Sequence, residues 1–142
     1  MQLTRHTDYA LRLLIDLATV DDDTVQIADV AERQGISRTH LMKITSALAH
    51  AGFVETYRGR HGGIKLARAP REINLGDVVR TTEPGCDLVD CTDCVLVPVC
   101  TLPGVLNEAM AAFQDVLNQY SLADIVRDRP NTKRAPRRAL GG

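Results

Sequence analysis

The sequence predicts a mainly α-helical chain with a small β-hairpin wing: a winged helix-turn-helix joined to a long C-terminal dimerisation helix. Three observations carry that expectation. Two apolar stripes at helical spacing, separated by Gly35 and by Ser37 as a capping residue, lie between positions 26 and 51. Directly after them, two short alternating segments flank the glycine-rich run Arg58-Gly59-Arg60-His61-Gly62-Gly63. A third, wider apolar stripe occupies positions 103–120.

Residues 7–19 read as a helix because Tyr9, Leu13, Leu14, Leu17 and Ala18 recur at three- and four-residue spacing, with Thr7 placed to cap it. Asp8 falls in its first turn, where an acid favours the helix dipole. Asp21, Asp22 and Asp23 follow as a solvated turn. Ile27, Val30 and Ala31 form the next stripe, and Leu41, Ile44, Leu48 and Ala51 the one after Ser37. Helix, glycine turn and capped helix make a helix-turn-helix. The second helix carries Arg38, Thr39, His40 and Lys43 away from its apolar stripe, and these types hydrogen-bond base edges and phosphates.

Positions 53–57 and 64–67 alternate as strands around the glycine-rich turn. A hairpin behind a recognition-type helix is a wing, and Arg58 and Arg60 at its tip suit guanidinium insertion into a minor groove. Pro70 opens a linker, and 75–82 is a short helix with Val78 and Val79 inward. In the long stripe, Leu106, Met110, Phe113 and Leu117 stand at a and d spacing beside Ala109, Ala112 and Val116. A small winged domain has little core left for so wide a stripe, so this helix is expected to pack on a second copy. A short turn at 121–126 follows it. The expected division is a DNA-binding domain at 1–82, a cysteine-rich loop at 83–102, a dimerisation region at 103–126 and a basic, disordered tail at 127–142.

Composition narrows the classes. The chain has 142 residues, 25% of them charged and 44% hydrophobic, which suits one soluble globular domain. No run of roughly eighteen apolar residues exists to span a membrane. The start, MQLTRHTDYALRLL, carries an acid and lacks the apolar core of a signal peptide, so a cytoplasmic protein is expected. The net charge of −1 argues against non-specific nucleic-acid binding. Its distribution does not: between positions 37 and 68, Arg38, Lys43, Arg58, Arg60, Lys65 and Arg68 face the single acid Glu55. No phosphate-binding glycine loop, nucleophile elbow or paired metal histidines occur, so an enzyme is not expected.

Cys86, Cys91, Cys94 and Cys100 are all the cysteines of the chain, and they share one short stretch. Thiolates this close converge on a metal or cluster, pair as disulfides, or act as a redox switch. A reducing cytoplasm favours metal or redox chemistry over structural bridges. Three thiolates hold an iron–sulfur cluster whose last iron takes a weaker oxygen ligand. Four close a tetrahedral zinc site, although the gaps here are cramped for it.

Four stretches together, MQLTRHTDYALRLL, GISRTHLMKI, RGRHGGIKL and the LVDC…C…PVC run with its following helix, resemble one family of small bacterial winged-helix iron–sulfur regulators, the NsrR/IscR/RirA type. The resemblance covers about residues 1–127 and is strongest to the nitric-oxide-sensing members. It implies a homodimer on palindromic operator DNA, with an iron–sulfur cluster near the dimer interface. It further implies a 4Fe–4S cluster, with 2Fe–2S as the alternative, held by Cys91, Cys94 and Cys100 and by Asp8 from the partner subunit. The Cys91-x2-Cys94 gap is shorter than the family's usual one. Cys86-x7-Cys94-x5-Cys100 is nearer the iron-responsive spacing, which makes Cys86 the alternative ligand. Some members place a histidine where this chain has Pro103. The expected function is a repressor that releases its operator when nitric oxide nitrosylates the cluster. The alternatives are a regulator of the same fold that senses iron or redox state through cluster loss, and a thiol or zinc interaction module with no DNA role.

Overall fold

The computed structural model describes residues 1–20, 23–85 and 87–127. Helix α1 spans Arg5–Ala18, α2 Ile27–Gln34 and α3 Arg38–His50. Strands β1 (Val54–Tyr57) and β2 (Gly63–Leu66) form the hairpin, and a 3₁₀ turn at Pro70–Glu72 leads to α4 (Leu75–Thr82). The long helix α5 is Leu102–Asn118, and the short α6 is Leu122–Ile125. The mainly α class with a hairpin wing is therefore as the sequence predicts.

The cap of α1 is a correction. Thr4, not Thr7, is the N-cap, and its side chain accepts from the Thr7 amide. Thr7 lies one turn in and is fully buried, because its hydroxyl donates to Glu83 from the far end of the domain. The helix-turn-helix follows its punctuation: Gly35 takes the left-handed φ of 66° that ends α2. Ser37 then caps α3 by accepting from the His40 amide at 3.0 Å.

The core lies between α1, α2, α3 and the hairpin. Leu13, Leu14, Val30, Leu41, Ile44, Leu48, Ile64 and Val78 have almost no exposed surface. Leu122 of α6 joins the same core, although the sequence marks this segment only as a turn. Backbone bonds bring it there: the Leu75 amide donates to the Tyr120 carbonyl at 2.9 Å, and Leu122 donates to Ile73 at 2.8 Å. A buried ion pair ties α2 to α1. Arg33 donates to Asp16 through two nitrogens, at 2.7 and 3.2 Å, and the Gln34 amide adds a third bond at 2.9 Å.

β1 and β2 pair antiparallel from Val54↔Leu66 to Tyr57↔Gly63. Val25 adds a further rung against Ile64, with bonds of 2.8 and 2.9 Å. The hairpin is thus anchored to the segment that leads into α2.

Candidate nucleic-acid interface and cysteine loop

Helix α3 separates its faces cleanly. Leu41, Ile44, Thr45 and Leu48 are buried, while Arg38, Thr39, Met42, Lys43, Ser46 and His50 are exposed. Of the residues the sequence singled out, Arg38, Thr39 and Lys43 lie on the open face. His40 is only half-exposed, because its ring stands edge-on to Tyr9 of α1 with centroids 5.2 Å apart. That contact joins α3 to α1. Met42 and Ser46 are exposed on this face and were not picked out from sequence. The signal was there in the 39, 42, 43, 46 spacing opposite the apolar stripe.

The wing tip is shaped by close backbone contacts. A Cβ on Gly62 would run into the backbone of Tyr57 and Arg58, and one on Gly63 would meet the Val25 carbonyl oxygen at 2.7 Å. The Gln26 side-chain amide donates to the Gly62 carbonyl, and the Thr24 hydroxyl donates to that of His61 at 3.2 Å. Arg58 and Arg60 are exposed at the tip. The rest of the basic run is held by the hairpin itself: the Lys65 ammonium lies 5.3 Å from the Tyr57 ring centre, and Arg68 stacks on Phe53 and donates to Gly52. Arg38, Lys43, Arg58 and Arg60 make no ion pair among the described residues. They leave four uncompensated cations on one helix-and-wing unit.

The cysteine loop joins α4 to α5. Cys91 is half-exposed, Cys94 and Cys100 are exposed, and all three are free thiols. Successive tight turns shape the loop, with the Cys94 amide donating to Cys91 at 3.3 Å and Val99 donating to Leu96 at 3.0 Å. The Thr92 hydroxyl, and then its backbone amide, bond the Asp90 carboxylate and hold it below the usual carboxylate range. Val95 and Val99 are among the most exposed apolar side chains of the loop, at 89% and 81%. Cys86 lies outside the described residues.

No group of three His, Cys, Asp or Glu side chains comes close enough to hold a metal among the described residues. The donor chemistry still fits an iron–sulfur cluster, since unpaired thiols on one short loop are its ordinary ligands. A binding loop of this kind commonly closes only around its metal. Asp8 is half-exposed on α1, and Arg12 donates to it at 3.0 Å. The fold does not bring it into the loop of its own chain.

Within the wide apolar stripe of helix α5, Leu106, Met110, Phe113 and Leu117 are half-buried on the side that packs against α4. Gln114 on that side donates to the Gly76 carbonyl at 2.8 Å. The open side instead carries Leu102, Val105, Ala109, Ala112 and Val116, spaced three and four apart. Both sides are apolar, so periodicity alone could not assign them. Beside this helix, Met1, Leu3, Val79, Leu88, Met110 and Phe113 line an apolar groove of about 590 Å³.

Residues 3–128 match the Rrf2 family, described as an iron-dependent transcriptional regulator. The chain belongs to the Rrf2 family. The HTH-type transcriptional regulator NsrR of Bacillus licheniformis is 46% identical over 140 residues, covering 94% of this chain and 98% of its own. NsrR of Bacillus subtilis is 47% identical over 135 residues, covering 91% and 92%. Among solved structures, IscR of T. potens superposes with a TM-score of 0.72 at 29% identity, covering 88% of this chain and 85% of its own. This Rrf2 chain is accordingly a DNA-binding transcriptional regulator and not an enzyme. Among the described residues no helix is long and apolar enough to cross a membrane.

Proposed function

We propose that this Rrf2 regulator is a cytoplasmic homodimeric repressor that binds a palindromic operator and releases it in response to nitric oxide. Its α3 helices would enter successive major grooves, with Arg38, Thr39 and Lys43 on base edges and phosphates and His40 reaching only the nearest phosphate. Arg58 and Arg60 of the wing would meet the adjoining minor groove. Cys91, Cys94 and Cys100 would hold an iron–sulfur cluster, 4Fe–4S in the first instance, with Asp8 of the partner subunit completing it and Cys86 as the alternative thiolate. Such a cluster, when bound, supplies iron that reacts with nitric oxide.

The observation that carries this reading is the placement of free thiols on a loop whose root is bonded to the start of α1, the helix that packs on α3. NsrR relatives at nearly half identity support the choice of signal. The chain's own residues can act only by making two arrangements of unequal affinity for DNA. Arg12 pairs with Asp8 in the present arrangement, so drawing Asp8 to a partner requires loosening that pair.

Anaerobic protein reconstituted with iron and sulfide tests the reading. Visible absorbance should bleach with nitric oxide while operator affinity falls in step. A colourless protein with one zinc per chain, or affinity indifferent to the cluster, would end it. The second reading, release through cluster loss under iron limitation, is favoured by the family's iron dependence and by the Cys86 spacing. Release by an iron chelator with nitric oxide absent would select it.

A further inference from the structure

Glu83 is the first residue after α4 and stands just before Pro84 and Gly85, which open the cysteine loop. Its carboxylate does not face solvent alone. It accepts from the Thr4 amide at 3.2 and 3.3 Å, from the Thr4 hydroxyl at 3.1 Å and from the Thr7 hydroxyl at 2.5 Å. These partners are the N-cap and first turn of α1, more than seventy residues away in sequence. A carboxylate there satisfies orphan helix amides and lies at the positive end of the helix dipole. Hydrogen bonds of an ionised acceptor are roughly twice as strong as neutral ones.

The same first turn carries Asp8, and one residue later Tyr9 stands against His40 of the recognition helix. Contacts therefore run from the loop root to α3. Glu83 grips Thr4 and Thr7, the α1 turn joins these to Tyr9, and Tyr9 meets His40.

We propose that Glu83 is a positioning residue that makes the root of the cysteine loop and the first turn of α1 move as one body, and so passes the state of the loop to the recognition helix. This rests on the regulatory reading given above, but not on which metal centre the loop holds. Without the carboxylate, the loop can rearrange while α1 stays where its core leucines hold it. The loss is then of communication, not of DNA contact or thiols.

Three proteins test this: wild type, Glu83→Gln, which keeps the shape but removes the charge, and Thr7→Val, which removes a donor without touching the loop. Operator affinity is measured with and without reconstituted iron and sulfide, and amide hydrogen exchange is followed in residues 5–9. The expected result is that both variants take up the cluster, yet the affinity ratio between the two states falls at least about tenfold toward unity, equivalent to about 1.4 kcal/mol of lost coupling. Exchange in the first turn of α1 should quicken in both. A wild-type ratio in both variants overturns the proposal, as does an equal loss of affinity in both states, which would mark Glu83 as a structural cap only. Where Glu83→Gln fails to fold, Thr7→Val alone decides. Equal affinities in the wild type itself would sink the regulatory reading instead. The clamp is then judged by exchange in the cluster-free variants, supported by faster exchange and refuted by unchanged exchange.

Discussion

Replacing Asp16 by alanine should be among the most damaging single changes in the domain. The Asp16 and Arg33 side chains retain only 5% and 7% of their accessible surface. Alanine removes both acceptors of the Arg33 guanidinium and the nearer of the two acceptors of the Gln34 amide, which keeps the Arg12 carbonyl at 3.4 Å. The buried cation left behind has no other hydrogen-bond acceptor among the described residues. Breaking such a pair from one side costs about 3–5 kcal/mol, against a total stability of roughly 5–15 kcal/mol for a domain. At about 3–4 °C of Tm per kcal/mol for a chain of this size, the midpoint should fall by about 10–20 °C. Urea titration followed by circular dichroism measures the loss directly. Neither residue lies on the exposed face of α3 or at the wing tip. Operator affinity per folded molecule, measured well below the midpoint, should therefore be unchanged. The double replacement Asp16→Leu with Arg33→Met should recover most of the stability, because an apolar pair carries no desolvation cost. A loss below about 1 kcal/mol for Asp16→Ala would refute the reasoning, since it would mean that water reaches the pair.

The other expectations concern DNA and the loop. Arg60→Ala should weaken operator binding and lower the slope of log affinity against log salt by about 0.9 per lost phosphate contact, hence about 1.8 for a dimer; an unchanged slope in an anisotropy titration would remove the wing tip from the interface. Gly62→Ala should distort the hairpin, because the new methyl meets the Tyr57 and Arg58 backbone. A cost of about 1–3 kcal/mol should appear in stability, with a loss of DNA affinity exceeding that of Arg60→Ala. Cys94→Ala and Cys100→Ala should each abolish visible absorbance after reconstitution. Cys91→Ala should do the same and Cys86→Ala should not; the reverse outcome reassigns the third thiolate to Cys86.

Much of the fold was legible because its signals are local. Gly35 and Ser37 punctuate the helix-turn-helix by backbone geometry and by a side-chain bond three residues long. The 75–82 helix is bounded by Asn74, whose side chain accepts from the Asp77 amide. What sequence alone missed depends on distant partners. Thr7 looks like a cap until Glu83 arrives from the other end of the domain and claims its hydroxyl. The partial burial of His40 shows only once Tyr9 is placed beside it. Leu122 looks like a turn residue until the Asn74–Ser121 bridge folds it into the core. On α5 both faces are apolar, and only the position of α4 shows which of them the domain uses. The open face of α3 was the easier part to read, since the exposed face of an amphipathic helix is fixed by its buried one. The thiols were identifiable by type and density, but their convergence is not encoded in spacing.

The uncovered apolar surface argues for how these parts work together. Helix α5 has no buried residue in the isolated chain, although its side against α4 is packed. Its open seam carries Leu102, Val105, Ala109, Ala112 and Val116, and Val99 and Val95 stand exposed in the cysteine loop just before it in sequence. An exposed apolar helix face of this kind on a transcriptional regulator is a surface for another molecule. The heptad-like spacing suits a second copy of the same helix. Covering the seam in the proposed dimer would draw the loop valines out of water at the same time, and would set the thiols among them in a drier environment. The two halves of the proposed function then share one cause. In that dimer, the surface that pairs the recognition helices for a palindromic site would also be the surface that shields the loop. A change at the thiols would then be felt where the two copies meet, as well as along the proposed route through α1.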